Sequence, residues 1–446
     1  MNSQPDADSF NTLVARFLGR RLPEEMVAAI SFETLPADVR RFITRMLILM
    51  RKADFPATDF TPVLIWQLSN VIPGFLPCAW KGRIPPLTLA RRNAKIDAYV
   101  IRYKWQEPLV NPVFVDMGCG FPPVTTSEAA SALSGWRVFG VDRSFSEYVV
   151  YDPEGHYACF DAQGMFQYFQ PTMDRAGILM YRNMAEARSR FEKVFRELHP
   201  LLCGTTGQVG ETVEKDGHRL VHHPIRDFEA PGLTFIESEM ENVRIPPAHA
   251  IRCMNTLIYF DSKARQRLLV QAGALLAGTG ILITGANLMS GATCRYTVYR
   301  RAGGLLEPVE FAFSVDNLRP INVMPWYTLH DDDSEALLLA GAIRRVRADR
   351  PFWLVFSGRL DELMAHYGLF ERDRNGFLHS PKGNDLVPDF MERAARLWRQ
   401  IEEEGFTDGV VAALKSAGLA AWKNSVGDIA FRPDLQALIL PQRGTI

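Results

Sequence analysis

The spacing of apolar residues changes character along the chain. Over residues 1–105 they recur every three or four positions, in Phe10–Leu22, Pro23–Ile30 and Pro36–Lys52, which predicts amphipathic helices. A Pro- and aromatic-rich stretch, Phe60–Pro86, leads into a further helical pattern over Leu87–Tyr103. From Asn111 the pattern becomes short apolar run, glycine turn, helix and apolar run again. Val113–Val115, Trp136–Val141, Leu233–Ile236, Ala250–Met254 and Ile281–Thr284 read as strands. Thr125–Leu133 and Ser262–Leu276 read as helices between them, with Thr125–Ser127 offering hydroxyl caps. Strands that alternate with helices and read as continuous apolar runs predict a mostly parallel sheet with helices on both faces.

Residues 144–232 interrupt this order as a long insert, with an amphipathic helix over Ala185–Leu198 and a hairpin turn at Asp216-Gly217. Further on, Arg295–Arg301 and Val309–Phe313 suit an antiparallel pair. The remainder mixes helices (Ser334–Arg347, Pro388–Glu404, Asp408–Ala417) with short strands (Trp353–Phe356, Asp428–Phe431). The pattern divides the chain into a helical cap over 1–105, an α/β core over 106–313, and an α+β extension over 314–446. Between Arg267 and Arg295 no charge occurs, a length that could cross a membrane. Gly278-Thr279-Gly280 divides that stretch, so a helix, a turn and a buried strand are expected instead.

Composition narrows the function more than the fold. The 446 residues are 47% hydrophobic and 23% charged, which is globular. Lys and Arg total 50 against 51 Asp and Glu. That balance argues against nucleic acid as the main partner, since phosphate binding needs a basic surface. The six cysteines are at least 40 residues apart, so no clustered-thiol metal site is expected. The start, MNSQPDADSF, has neither a basic nor an apolar leader region, and a cytoplasmic location with free thiols is expected.

The run Val115-Asp116-Met117-Gly118-Cys119-Gly120 follows a strand and precedes a helix. Its two glycines allow a sharp turn and close approach to a ligand. An acid in a pyrophosphate loop would repel its ligand, so Asp116 suits a ligand that carries an ammonium group. The dinucleotide fingerprint fails, because Pro123 stands where its third glycine belongs, and no phosphate-loop lysine is present. A tight turn without a ligand is the competing reading. Asp142 ends the second strand, where an acid can accept hydrogen bonds from ribose hydroxyls. It could equally be a surface acid that caps the next helix.

Together, Asp116-x-Gly118-x-Gly120 and Asp142 resemble motif I and the subsequent acid of class I S-adenosylmethionine (SAM)-dependent methyltransferases. Phe235–Asn242 resembles that family's third-strand segment, which implies Glu239 and Met240 at the adenine. Cys253-x-Asn255-x-Leu257-Ile258-Tyr259-Phe260 resembles the fourth strand and exit loop, especially of chemotaxis-receptor methyltransferases. Leu276–Leu282 stands where the family turns into strand five. The resemblance covers about 110–300 apart from the insert. It departs at Pro122-Pro123, where a third glycine is common, and at Met254, where the chemotaxis enzymes carry a basic residue. Fold and cofactor are therefore carried over, and the receptor substrate is not. The resemblance implies a Rossmann-like doubly wound sheet and SAM as cofactor. It places Asp116, Gly118, Cys119, Gly120, Asp142, Arg143, Glu239, Met240 and Asn255 around that cofactor.

The expected reaction is methyl transfer to a small-molecule acceptor, with neither nucleic acid nor membrane as partner. Modification of a protein carboxyl, SAM binding without turnover, and non-methyl use of SAM are the alternatives. Because a sulfonium is already activated, alignment and water exclusion matter more than acid–base groups. His156, His222, His223 and His249 are base candidates, each of them also a plain packed or surface histidine. Tyr259 and Tyr148 are candidates for the acceptor pocket, as are Tyr151, Tyr157, Phe166, Tyr168 and Phe169. His222-His223 with Asp227 suggests a metal set, but adjacent strand residues face opposite ways, so no metal is expected. His330-Asp331-Asp332-Asp333 reads as acids at a helix start.

Overall fold

The computed structural model describes residues 9–28, 30–72, 89–172, 180, 184–202, 210–257, 260–287, 294–302, 305–319, 334–381 and 389–433. The chain divides into two compact units. One comprises 70–90 and 110–246; the other comprises 1–69, 91–109 and 247–446.

The unit around 110–246 contains β1 (Val113–Met117), β2 (Arg137–Asp142), β3 (Tyr148–Tyr151), β4 (Tyr157–Phe160), β5 (Phe166–Gln170), β6 (Thr212–Lys215), β7 (His218–His222) and β8 (Leu233–Glu237). β1 pairs with β2, and β2 with β8, both in parallel. Every residue of β1 is buried, the expected result for an apolar run between two covered faces. Gly140 of β2 lies opposite Phe235 of β8, and a Cβ there would come within 2.5 Å of the Phe235 ring. The strand backbone is thus the floor on which that ring rests. The helix Val124–Ala132 joins β1 to β2.

The insert forms a second, antiparallel sheet in the order β5–β4–β3–β7–β6. Its hairpin between β6 and β7 turns at Asp216 (φ 51°) and Gly217 (φ 76°), as expected. The helix Met184–Leu202 buries Phe191, Phe195 and Leu198. Phe195 stacks on Phe160 of β4 at 4.3 Å, so helix and sheet share one aromatic core.

The other unit contains β9 (Ala248–Met254), β10 (Leu276–Ala286), β11 (Arg295–Ala302), β12 (Leu305–Phe313), the short pair β13 (Glu371–Arg372) and β14 (Leu378–His379), β15 (Ala421–Lys423) and β16 (Ile429–Phe431). β9 and β10 pair in parallel across the helix Ser262–Leu275, which Asp261 caps by accepting from the Ala264 amide at 2.8 Å. From β10 onward the order β10–β11–β12–β16–β15 is antiparallel. The chain is therefore mixed α/β, with the expected Rossmann-like parallel strands and helices and an antiparallel continuation.

The structure corrects three readings. Gly278–Gly280 is no turn between helix and strand: the helix ends at Leu275, β10 begins at Leu276, and the glycines fall in a register shift between Leu276 and Ile281. Trp353–Phe356 is helical, inside Arg350–His366. No hydroxyl caps Val124–Ala132, whose N-cap is Pro123. Among the described residues no helix is long and apolar enough to cross a membrane. His330–Asp333 lies outside the described residues.

Candidate functional site

The loop after β1 is built from two left-handed glycines and two external anchors. Gly118 (φ 73°) and Gly120 (φ 68°) take conformations that an L side chain adopts only with strain. The Gly118 amide donates to the Val141 carbonyl at 2.8 Å, and the Cys119 amide to the same oxygen at 3.2 Å. The Gly120 amide donates to Asp142 Oδ2 at 2.9 Å. The end of β2 therefore clamps the loop twice, through its backbone and through its terminal acid. The Phe121–Pro122 peptide is cis, and the Pro123 carbonyl accepts from Thr126 and Ser127 to start the helix.

The three chemistry-bearing side chains of the loop differ in environment. Asp116 is buried and accepts from Thr126 Oγ1 at 2.6 Å, so the threonine expected as a cap holds the acid instead. Asp142 is half-buried. Burial pushes its carboxyl up, while the backbone amides of Gly120, Arg143 and Ser144 pull the other way. Cys119 is buried, and burial, Asp142 and Asp116 all push its thiol well above the usual range. Such a thiol is no nucleophile at neutral pH.

Arg143 and Glu239 face solvent and approach to 3.9 Å. Screening makes such a pair worth about 0–1 kcal/mol at most. Glu239 caps the short turn Met240–Asn242, and the Ser238 amide donates to the Asp142 carbonyl at 2.9 Å. The exits of β2 and β8 are thus joined, and Asp116, Gly118, Cys119, Gly120, Asp142, Arg143, Glu239 and Met240 all belong to this unit.

Sequence reading missed two supports. Tyr157 Oη donates to the Phe121 carbonyl at 3.0 Å, and the Phe121 ring meets Tyr157 and Phe228 edge-on at 6.1 Å each. The insert thereby braces the loop. No local signal could reveal a bond between residues 36 apart.

Other candidates are placed differently. Tyr148 is packed inside the insert, stacked on His222 at 5.0 Å and edge-on to Phe195 and His199. His156 Nδ1 accepts from the Thr172 amide at 2.9 Å. His249 has its pKa lowered by burial. Asn255, in the other unit, is left-handed (φ 58°), and its side-chain amide is engaged by Asn287. Asn255 Nδ2 donates to Asn287 Oδ1 at 2.7 Å, while the Asn287 amide donates to Asn255 Oδ1 at 3.0 Å. Arg92 also donates to Asn287, so Asn255 belongs to a polar junction of β9 and β10. Tyr259 lies outside the described residues.

His222 and His223 depart from strand alternation. His223 leaves β7 in a left-handed conformation (φ 48°), and its ring swings to within 4.3 Å of the His222 ring. Both Nε2 atoms reach Glu147 Oε1, at 3.0 and 2.9 Å.

No family model matches the sequence, and no curated protein matches it. Among solved structures, similarity is found to a candidate O-methyltransferase from Nostoc punctiforme PCC 73102. Identity is 10% and the TM-score 0.20, over 62% of this chain and 52% of that one. The chain thus spans about half the length of that relative. A SAM-bound amino pentose methyltransferase from Micromonospora echinaspora matches at 11% identity and TM-score 0.21, over 50% of this chain and 69% of that one. An O-methyltransferase family 2 protein from Planctomyces limnophilus DSM 3776, in complex with apigenin, matches at 13% and 0.23, over 62% and 75%. These TM-scores are too low to establish a shared fold, and the fold rests on the strand pairing described above.

Proposed function

We propose that the chain binds SAM at the Asp116–Gly120 loop and moves its methyl group to a small-molecule acceptor. The observation that carries this reading is the Gly120 amide donating to Asp142 Oδ2 at 2.9 Å. It unites two features 22 residues apart at the carboxyl edge of neighbouring parallel strands, where nucleosides bind in such sheets. The bond occupies part of one carboxylate oxygen of Asp142, and a carboxylate has room for roughly four donors, so acceptor capacity remains for a ribose hydroxyl. Asp116 supplies the buried negative charge that suits an ammonium group.

When bound, SAM would supply an activated methyl on a sulfonium. The protein's part is to orient the nucleoside through Asp142 and the loop amides and to exclude water. Cys119 is buried and takes no chemical part. A role at the adenine for Glu239 and Met240 is part of the proposal, as is a contribution of Asn255 through the loop it shapes. So are a cytoplasmic location and residues 106–313 as the cofactor-binding segment.

Calorimetry of the full chain with SAM and with its demethylated product tests the cofactor. No heat from either at high micromolar concentration would sink the reading. Radiolabelled SAM added to lysate then reports the acceptor. Label in a solvent-extractable product supports a small molecule, whereas label in macromolecules supports a protein substrate.

A further inference from the structure

The geometry points to a divalent transition-metal site formed by Glu147, His222 and His223. The three donor atoms lie within 4.8 Å of one another, and both histidine Nε2 atoms approach the same carboxylate. Tetrahedral zinc holds its ligands at 2.0–2.2 Å, which places them about 3.3 Å apart, so both histidine–carboxylate edges fall within about half an ångström of that. Two imidazoles and one carboxylate leave a coordination position open. That is the donor set of a zinc- or iron(II)-class ion, not of magnesium or calcium, which prefer oxygen.

The backbone holds these donors in place without a metal. Tyr148 pairs with His222 in the β3–β7 ladder, and its ring stacks on the imidazole, fixing its plane. The His223 amide donates to the Glu147 carbonyl at 2.7 Å. His223 adopts a left-handed backbone, a conformation uncommon outside glycine but open to histidine, and Pro224 follows it into a short turn. Without that conformation, strand alternation would send the two rings to opposite faces. The left-handed turn thus aims the second ring into the cluster.

The cluster is half-buried and begins five residues beyond Asp142, in the same unit as the Gly loop. The inference does not depend on SAM binding.

Cobalt(II) titration of the chelator-treated full chain, followed by visible absorption, tests it. The expected result is one cobalt per chain, with ligand-field bands that zinc bleaches. Losing an outer-sphere partner weakens metal sites by roughly 10–100-fold, so His223→Ala, which removes a ligand, should weaken cobalt binding by at least about 100-fold. Glu147→Gln keeps the shape of the carboxylate and its contacts to the imidazoles, and should do the same while remaining folded. His218→Ala, on the same hairpin, should bind as the wild type does. Absence of cobalt bands in the wild type would overturn the site. So would cobalt affinity equal to the wild type's in both His223→Ala and Glu147→Gln.

Discussion

Two acids, one in each unit, show how burial separates scaffold from site. Asp59 is buried among Arg319, Arg347 and Arg372, with contacts of 2.7, 3.2 and 3.2 Å. Burial alone would raise its pKa, but the three guanidinium groups reverse this and hold it below the usual carboxylate range. Asp142 is raised by burial, which its amide donors and the solvent-facing Arg143 only partly offset. The first carboxylate is fully neutralised and serves the fold. The second keeps a charge only partly compensated at the mouth of a glycine loop, an arrangement that costs stability and suits a ligand.

The largest expected effect breaks the first side of this contrast. Asp59→Ala leaves Arg319 and Arg347 without their shared carboxylate and should cost about 3–5 kcal/mol in denaturant unfolding. A loss below about 1 kcal/mol would show that water or Asp361 compensates. Because its folded pKa is depressed, the stabilisation from Asp59 is present above pH 3.8 and is lost as pH falls through the folded value. The acid limb of the wild-type stability curve should therefore flatten in Asp59→Asn.

Asp142→Asn sharpens the second side. A raised carboxyl pKa means that the charged form costs stability above pH 3.8, so the amide should leave neutral-pH stability unchanged or improved. Its affinity for SAM should fall by about 10–100-fold, the worth of a charged hydrogen bond of about 1.5–3 kcal/mol. Calorimetry and thermal unfolding on one preparation decide it. A large loss of stability with unchanged binding would make Asp142 a second scaffold acid.

Thr126→Val removes the hydroxyl that holds buried Asp116 and should cost about 1–3 kcal/mol, read from urea midpoints. Tyr157→Phe keeps the ring against Phe121 and loses only the bond to its carbonyl, for about 0.5–1.5 kcal/mol. If Tyr157→Phe weakens SAM binding by more than this, the brace also shapes the bound loop.

The contrast also marks what was legible in the sequence. β1, β2 and β9 were readable because largely buried parallel strands are short apolar runs. The Gly118/Gly120 turn and Asp142 were readable because their spacing is local. Trp353–Phe356 misled because four apolar residues carry no period. Over the whole helix, Trp353, Phe356, Leu360 and Leu363 are buried every third or fourth position, while Leu354 and Val355 are exposed. Apart from the β6–β7 hairpin, the insert's antiparallel sheet went unseen because its strands are four or five residues long and partly polar. His223 carries neither glycine nor asparagine to announce its left-handed backbone. The pairing of Asn255 with Asn287, 32 residues away, had no local signal.

The arginine cluster at Asp59 has a consequence for synthesis. Its partners lie 260, 288 and 313 residues further along the chain. At about 5–20 residues per second, a ribosome needs roughly 15–60 s to deliver them after Asp59 emerges. The strands β1 to β8 are translated within that interval. The segment with the glycine loop can therefore assemble while the amino-terminal acid still waits, hydrated, for its counter-charges, the last of which is Arg372.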